Sequence, residues 1–386
     1  MAITGDQRLL KRINRMALVR LVRSRPGLSR ADLAEETGLT KSTVSLLAQE
    51  LIDEGWLQEK DVLVTGSIGR RPTPLCLDGR RLVLLGVELG PEQVRLVALS
   101  LAGEMLQEHC LPHASGCAVQ EVLDHLQATL QQVLATLAAD RREILGLGVG
   151  VPGFVSEDGH LDAPVLGWQG VPLAAMLRER LAAAGVPDVL LAIVNGGDAA
   201  ALGEVEFAPG DDLAEPLLYL GLDVGISAGV IVGGRLLHGK RGVAGEVGHI
   251  QLQPGGRLCS CGREGCAEAY FGLRAMAATV GCSVPELFRQ AQAQEPACTD
   301  VLEQAGKQLG GLLHNLWTVL DPARIVLGGP SCALGATFVD AARAHFAGMA
   351  AGAGLAVPPV NLARFGDAAV AVGGAALVLH KILRPF

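Results

Sequence analysis

Between Gly245 and Glu268 the chain reads GEVGHIQLQPGGRLCSCGREGCAE, a 24-residue run with one His and three Cys. Thiolates beside an imidazole are the donor set of zinc. Cys259, Cys261 and Cys266 follow C-x-C-x4-C, and His249 is the nearest soft donor upstream. Three thiolates and one imidazole close a tetrahedral shell and leave no position for an activated water. The expectation is therefore one structural Zn2+ per chain, held by His249, Cys259, Cys261 and Cys266; three reduced cysteines in a glycine loop are the alternative. Gly255, Gly256, Gly262 and Gly265 let the backbone turn tightly around an ion. A DNA-reading zinc finger is not expected, because no basic recognition helix follows.

Two phosphate-loop patterns do not fit their context. GVGVPG (148–153) satisfies G-x-G-x-x-G, but Pro152 and FVSEDG continue it as a turn instead of opening a helix. GRLLHGKR (234–241) lacks the hydroxyl that a Walker loop uses for its metal and reads as a hairpin.

The elements that must position the metal run belong to a long chain. Its 386 residues suffice for two or three domains. Hydrophobic residues make up 49% and aromatics only 3%, so the core is aliphatic. The net charge of −8 argues against uniform nucleic-acid coating, yet it is uneven. Residues 1–75 carry 12 basic and 9 acidic groups, and residues 1–31 carry eight basic groups and one acid, Asp6. A basic head on an acidic body predicts that the head alone meets a polyanion. Nine cysteines is an odd number, and the six outside the metal run are scattered, which is no disulfide framework. There is no signal core and no apolar run of membrane-spanning length, so a reduced, cytoplasmic protein without membrane insertion is expected.

The head spans residues 1–80. A first helix is expected from about Asp6 to Ser24. Ser29 caps a second, with Asp32 at capping-box spacing and Gly38 at its end. Thr40 caps a third, in which Val44, Leu47, Leu51 and Ile52 form the buried stripe. Its opposite face begins with Lys41, Ser42, Thr43 and Ser45, the positions that meet base edges in a helix-turn-helix. Two apolar runs around GSIGRRP then predict a hairpin wing whose Arg70 and Arg71 contact phosphate or minor groove. Arg30, at the start of the second helix, joins the candidate DNA contacts. A helical protein-interaction module is the alternative.

The body alternates strand-like and helix-like stretches, an α/β pattern. Gly86-x-Glu88-x-Gly90 and Gly221-x-Asp223-x-Gly225 each follow an apolar run and precede a second one. Such an echo is what a duplicated, two-lobed fold with a ligand cleft produces.

These motifs resemble the ROK family (repressors, open reading frames and sugar kinases), in its repressor branch. In the body the resemblance rests on GLGVGVPGFVSEDG, APVLGWQGVPL, AAALGE, AGEVGH, CSCGREGCAE and IVLGGP. In the head it rests on SRADLAEETGLTKSTVS and GRRP. It implies an actin-like (ribonuclease H-like) two-lobed α/β body preceded by an N-terminal winged helix-turn-helix. The lobes expected are 81–195, completed by a C-terminal helix over 370–386, and 196–369 with the zinc loop. By resemblance, Asn195, Glu246, His249 and Glu268 bind a sugar or sugar-derived effector, with His249 shared with zinc.

Departures from the kinase pattern decide between regulator and enzyme. ROK kinases carry Asn-Asp-Ala-Asn before the Ala-rich helix, and the Asp is the base; here VNGGDAAALGE places Gly196 there. Glu92 stands where the first phosphate loop needs Thr, and Asp223-Val224-Gly225 replaces Gly-Thr-Gly. The preferred reading is a non-catalytic regulator, acting as a repressor of carbohydrate-related genes. It pairs a double-stranded operator with a homodimer or dimer of dimers. Gly196 removes one sugar hydrogen bond, and Val165 stands where many relatives have Asn. One lost bond to a charged group costs about 1.5–3 kcal/mol, so the expected effector binds weakly, differs from a simple hexose or has been lost. Two alternatives stay open. One is an ATP-dependent sugar kinase with a fused DNA-binding domain, using Asp198 as base after a register shift; the other is a regulator controlled by a protein partner.

Overall fold

The computed structural model describes residues 7–60, 73–208, 214–240, 242–352, 354 and 356–384. The head opens with α1 (Gln7–Ser24), α2 (Arg30–Thr37) and α3 (Lys41–Asp53). The Ser29 side chain accepts from the Asp32 amide and the Asp32 carboxylate accepts from the Ser29 amide, which completes the capping box. Gly38, at φ 69°, ends α2, and Thr40 caps α3. After α3, β1 (Leu57–Glu59) pairs antiparallel with β2 (Leu75–Leu77). The expected wing tip, with Arg70 and Arg71, lies outside the described residues.

The first lobe contains β3 (Leu82–Leu89), β4 (Gln93–Ser100), β5 (Met105–Pro112), α4 (Val119–Ala139) and β6 (Glu143–Val151). It continues through a small sheet of β7 (Phe154–Val155), β8 (Leu161–Ala163) and β9 (Trp168–Val171) to α5 (Leu173–Ala183) and β10 (Leu190–Asn195). Then α6 (Gly196–Glu206) leads to β11 (Leu217–Leu222), β12 (Ile226–Val232) and β13 (Arg235–Leu236). The metal run follows, and after it α7 (Glu268–Phe271), α8 (Leu273–Val280), α9 (Val284–Gln292) and α10 (Pro296–Leu320). The chain closes with β14 (Arg324–Gly328), α11 (Ala336–Ala351), β15 (Val360–Leu362) and α12 (Ala369–Leu383).

The two large sheets have one topology. Their orders are β10-β6-β3-β4-β5 and β13-β12-β11-β14-β15. In each, the first two strands are an antiparallel hairpin, and two later strands add parallel to the first. The Gly-x-acid-x-Gly echo falls at the same turn of both sheets, β3–β4 and β11–β12. The duplication is structural, and the fold is the actin-like α/β one.

Strands buried on both faces read as continuous apolar runs, as β3 does. Val83, Leu85 and Val87 pack towards α4 and α5, while Leu82 and Leu84 pack towards α12 and the head. In the second sheet Leu218 and Leu220 face α8, α10 and α11; Leu217 and Tyr219 face α6. Between the sheets, α6 and α12 pack so closely that only glycine fits at their crossing. A Cβ on Gly373 of α12 would lie 2.0 Å from the Ala199 carbonyl of α6; α12 lies as close to the first sheet, where a Cβ on Gly148 of β6 would lie 1.8 Å from the Gly374 carbonyl. The run Gly366–Leu383 is long and apolar enough to span a membrane, contrary to expectation, but two-thirds of it is buried here as the central core helix. The head does not hang free: Leu18, Val22 and Leu75 share one apolar cluster with Leu84, Val97, Ala375 and Leu379.

Candidate functional site

The metal run folds as a compact knuckle. The amide of Cys259 donates to the Arg263 carbonyl (2.8 Å), that of Gly265 to Arg257 (2.8 Å), and that of Leu252 to Gly265 (2.7 Å). A side chain at Gly265 would meet the Gln253 carbonyl at 1.8 Å, so only glycine permits the turn. This brings one donor atom each from His249, Cys259, Cys261 and Cys266 within 4.8 Å of one another. His249 Nδ1 is 3.7 Å from Cys259 Sγ, and Cys261 Sγ is 3.7 Å from Cys266 Sγ. Thiolates at about 2.3 Å from a tetrahedral ion stand about 3.8 Å apart, so these two edges are close to what a bound metal requires. Burial raises the Cys261 thiol, but hydrogen bonds from Arg263 and the neighbouring cysteines outweigh it and hold it at about 6. The cluster can hold a metal ion, and its four protein donors leave no open position.

Glu246 and Glu268 sit against this knuckle. His249 turns Nδ1 to the thiols and Nε2 towards Glu246 Oε2, 3.9 Å away. Burial pushes the Glu246 carboxyl up; His249 offsets this, and the charges of Glu268 and Asp198 raise it further. Glu268 opens α7, accepts from the Ser260 hydroxyl at 2.7 Å and from the Ile226 amide at 3.3 Å. It thus ties the metal knuckle to the β11–β12 turn. Ser260, between two of the candidate ligand cysteines, was not among the expected site residues. In that turn the Val224 amide is taken by Asp223 Oδ1 (2.7 Å) and the Asp223 amide by the Gly225 carbonyl (3.1 Å).

Asn195 lies at the end of β10 and caps α6. Its Oδ1 accepts from the Gly197 amide (2.8 Å), and its Nδ2 donates to the Gly153 carbonyl (3.0 Å). Both amide functions hold local structure, and the residue bridges the β6–β7 turn to the helix start. Gly196 is the first residue of α6. A Cβ there would meet only Val370 methyls at 3.6 Å and the Val151 carbonyl at 3.8 Å, ordinary contacts. Asp198 is 1% exposed and points away from solvent, with His238 Nδ1 at 3.4 Å and no hydrogen bond to its carboxylate among the described residues. Burial raises its carboxyl, and contact with Asp198 raises His238.

In the head, Lys41, Ser42 and Ser45 are exposed on α3, and Thr43 is half-buried with its hydroxyl 2.8 Å from Thr40. Arg30 is occupied inside the head: it donates to Gln49 Oε1 (3.1 Å) and Glu59 Oε1 (3.0 Å). That places it as a strut between α2, α3 and β1.

One cluster escaped the reading of the sequence. Glu206, the last residue of α6, has a fully buried side chain. Arg23 of α1 pairs with its carboxylate, Arg384 joins it, and His380 Nδ1 lies 2.7 Å away. Burial alone would raise this carboxyl, yet His380, Arg23 and Arg384 hold it down at about 2. Arg23 also donates to the Glu206 carbonyl (2.9 Å), and Arg20 donates to the Leu383 carbonyl. The helix GGDAAALGEVE carries three acids, Asp198, Glu204 and Glu206; the sequence does not single out Glu206, whose partners lie up to 183 residues away.

Known proteins share this layout. An IclR helix-turn-helix domain matches residues 16–61. The chain is 29% identical to a putative xylose repressor from Caldicellulosiruptor sp., over 88% of each protein. A glucokinase from Halalkalibacterium halodurans is 28% identical over 77% of this chain and 95% of its own length. A solved ROK family transcriptional regulator, a homologue of the E. coli MLC protein, superposes with a TM-score of 0.78 at 23% identity, covering 97% of this chain and 96% of that one. The ROK family model itself matches residues 84–381, most of the chain, and the protein belongs to the ROK family.

Proposed function

We propose that this ROK protein is a sugar-responsive, DNA-binding transcriptional repressor with a non-catalytic body. One observation carries the reading: the helix that starts in the cleft ends on the head. Asn195 caps α6 beside the effector residues, and Glu206 at its far end grips Arg23 of α1. Eleven helical residues span about 16 Å. An effector that shifts the start of α6 therefore moves the seat of α1, and with it the spacing of the recognition helices. The relatives named xylose repressor align with head and body together, which supports the same reading.

In this reading Lys41, Ser42, Thr43 and Ser45 meet the operator, with Arg70 and Arg71 on the wing and Arg30 bracing α3. A sugar or sugar-derived effector lies against Glu246, His249 and Glu268, with Asn195 shaping the cleft. One zinc fills the His249–Cys259–Cys261–Cys266 cluster. Bound there, it supplies a rigid, non-reactive corner that fixes His249 and, through Ser260, Glu268. The units are 1–80, 81–195 with 370–386, and 196–369, and the protein works as a cytoplasmic dimer or dimer of dimers. The absence of catalysis is supported by Gly196 at the helix start, by Glu92 in the first turn, and by the internally bonded amides of the second.

The test is duplex binding by the purified protein with and without candidate sugars. Binding at physiological salt that one sugar weakens is the expected result. ATP turnover with a sugar, abolished by Asp198→Ala, would instead establish the kinase.

A further inference from the structure

We infer that Leu46 reads the 5-methyl group of a thymine in the major groove, and so sets a base preference that the polar residues of α3 do not. The inference rests on the reading of the head as a duplex-binding module. Leu46 is 61% exposed in α3 and lies off the buried stripe of Val44, Leu47, Ala48 and Leu51. A single exposed leucine is ordinary; its surroundings single this one out.

Residues three and four apart share a helix face, which puts Leu46 beside Ser42, with Ser45 next to it in the chain. Lys41 opens α3, and its first turn holds no acid. The carboxylates near the rear of the helix are countered from α1. Lys11 reaches Glu50 at 2.7 Å, and Arg15 reaches Glu50 at 3.6 Å and pairs with Glu54. Gln49 is tied up as well, accepting from Arg30 and donating to Asp53 at 2.9 Å. The front of α3 therefore offers Lys41, Ser42, Ser45 and Leu46 to a partner, and its charge suits a polyanion. Serine hydroxyls donate or accept and discriminate bases weakly. In the major groove the one apolar feature on a base edge is the thymine methyl. Leu46 is the matching group.

The experiment selects a duplex from a random pool with the full-length protein, then replaces each thymine in turn by deoxyuridine, which lacks only that methyl. Wild type loses about fourfold affinity at one thymine per half-site, the scale of one buried methyl-sized group. Leu46→Ala binds the thymine and deoxyuridine duplexes alike, and its thermal unfolding is unchanged because the site is exposed. A tightly bound duplex indifferent to every replacement overturns the inference and leaves the DNA-binding reading standing. So does a loss that persists in Leu46→Ala, which would trace it to DNA shape. Failure to select any duplex at physiological salt defeats both readings.

Discussion

Replacing Glu206 with Gln keeps the volume and removes the charge that holds α1, α6 and α12 together. The wild-type carboxyl is held at about 2, against 4.5 for an ordinary glutamate. That difference, at 1.36 kcal/mol per unit, corresponds to about 3 kcal/mol of stability. An independent route gives the same scale: removing one partner of a buried ion pair costs about 3–5 kcal/mol, because the remaining charges are stranded. Here Arg23 and Arg384 would be left facing each other, with His380 beside them. The sign in pH follows from the depressed value. The stabilisation is complete above about pH 4.5 and is lost as pH falls towards 2. Urea unfolding of the full chain at pH 7 should show Glu206→Gln less stable by about 3 kcal/mol, and the gap to wild type should narrow in acid. A double-mutant cycle with Arg23→Ala isolates the contact between head and body. In duplex-binding assays the variant should also lose its response to effector while keeping basal affinity within a few fold. A stability loss below about 1 kcal/mol, or a gap independent of pH, would refute the assignment of Glu206 as the clasp.

Metal analysis should find one zinc per chain, and Cys261→Ser should release it and lower the melting temperature; an unchanged metal content would refute the ligand set. Gly196→Asp should fold normally, because its Cβ has room and a carboxylate in the first helical turn gains about 0.3–1 kcal/mol from the helix dipole. A melting temperature below that of wild type would contradict this. Gly373→Ala should be severely destabilised, since its methyl would fall 2.0 Å from the Ala199 carbonyl. Overpacking of this kind costs about 1–3 kcal/mol or more by urea titration, and a neutral result would mean that α6 and α12 separate easily.

The metal donors were legible because their chemistry is local. His249 and Cys266 are 17 residues apart, and the glycines between them announce the turn. The head was legible for the same reason: the capping box at Ser29–Asp32 and the cap at Thr40 are contacts over three residues. The duplicated lobes were faintly visible in two Gly-x-acid-x-Gly turns, and the matching sheet orders turned that echo into a fold. Arg30 reads from the sequence only as a candidate DNA contact, because its partners in the head, Gln49 and Glu59, are 19 and 29 residues away. The C-terminal helix is expected only through the family resemblance; its own apolar run does not show that it is covered by α6 and the first sheet.

Taken alone, the sequence determined which groups are present and which short-range geometries they adopt: the Cys and His donor set, the helix caps and the polar face of α3. It could not determine which distant charges meet. Whether Glu206 is a stranded acid or the centre of a clasp depends on Arg23, His380 and Arg384 arriving from opposite ends of the chain. Only the packing of α12 between the lobes brings them together, because burial in a common core sets the distance between groups that no sequence spacing relates.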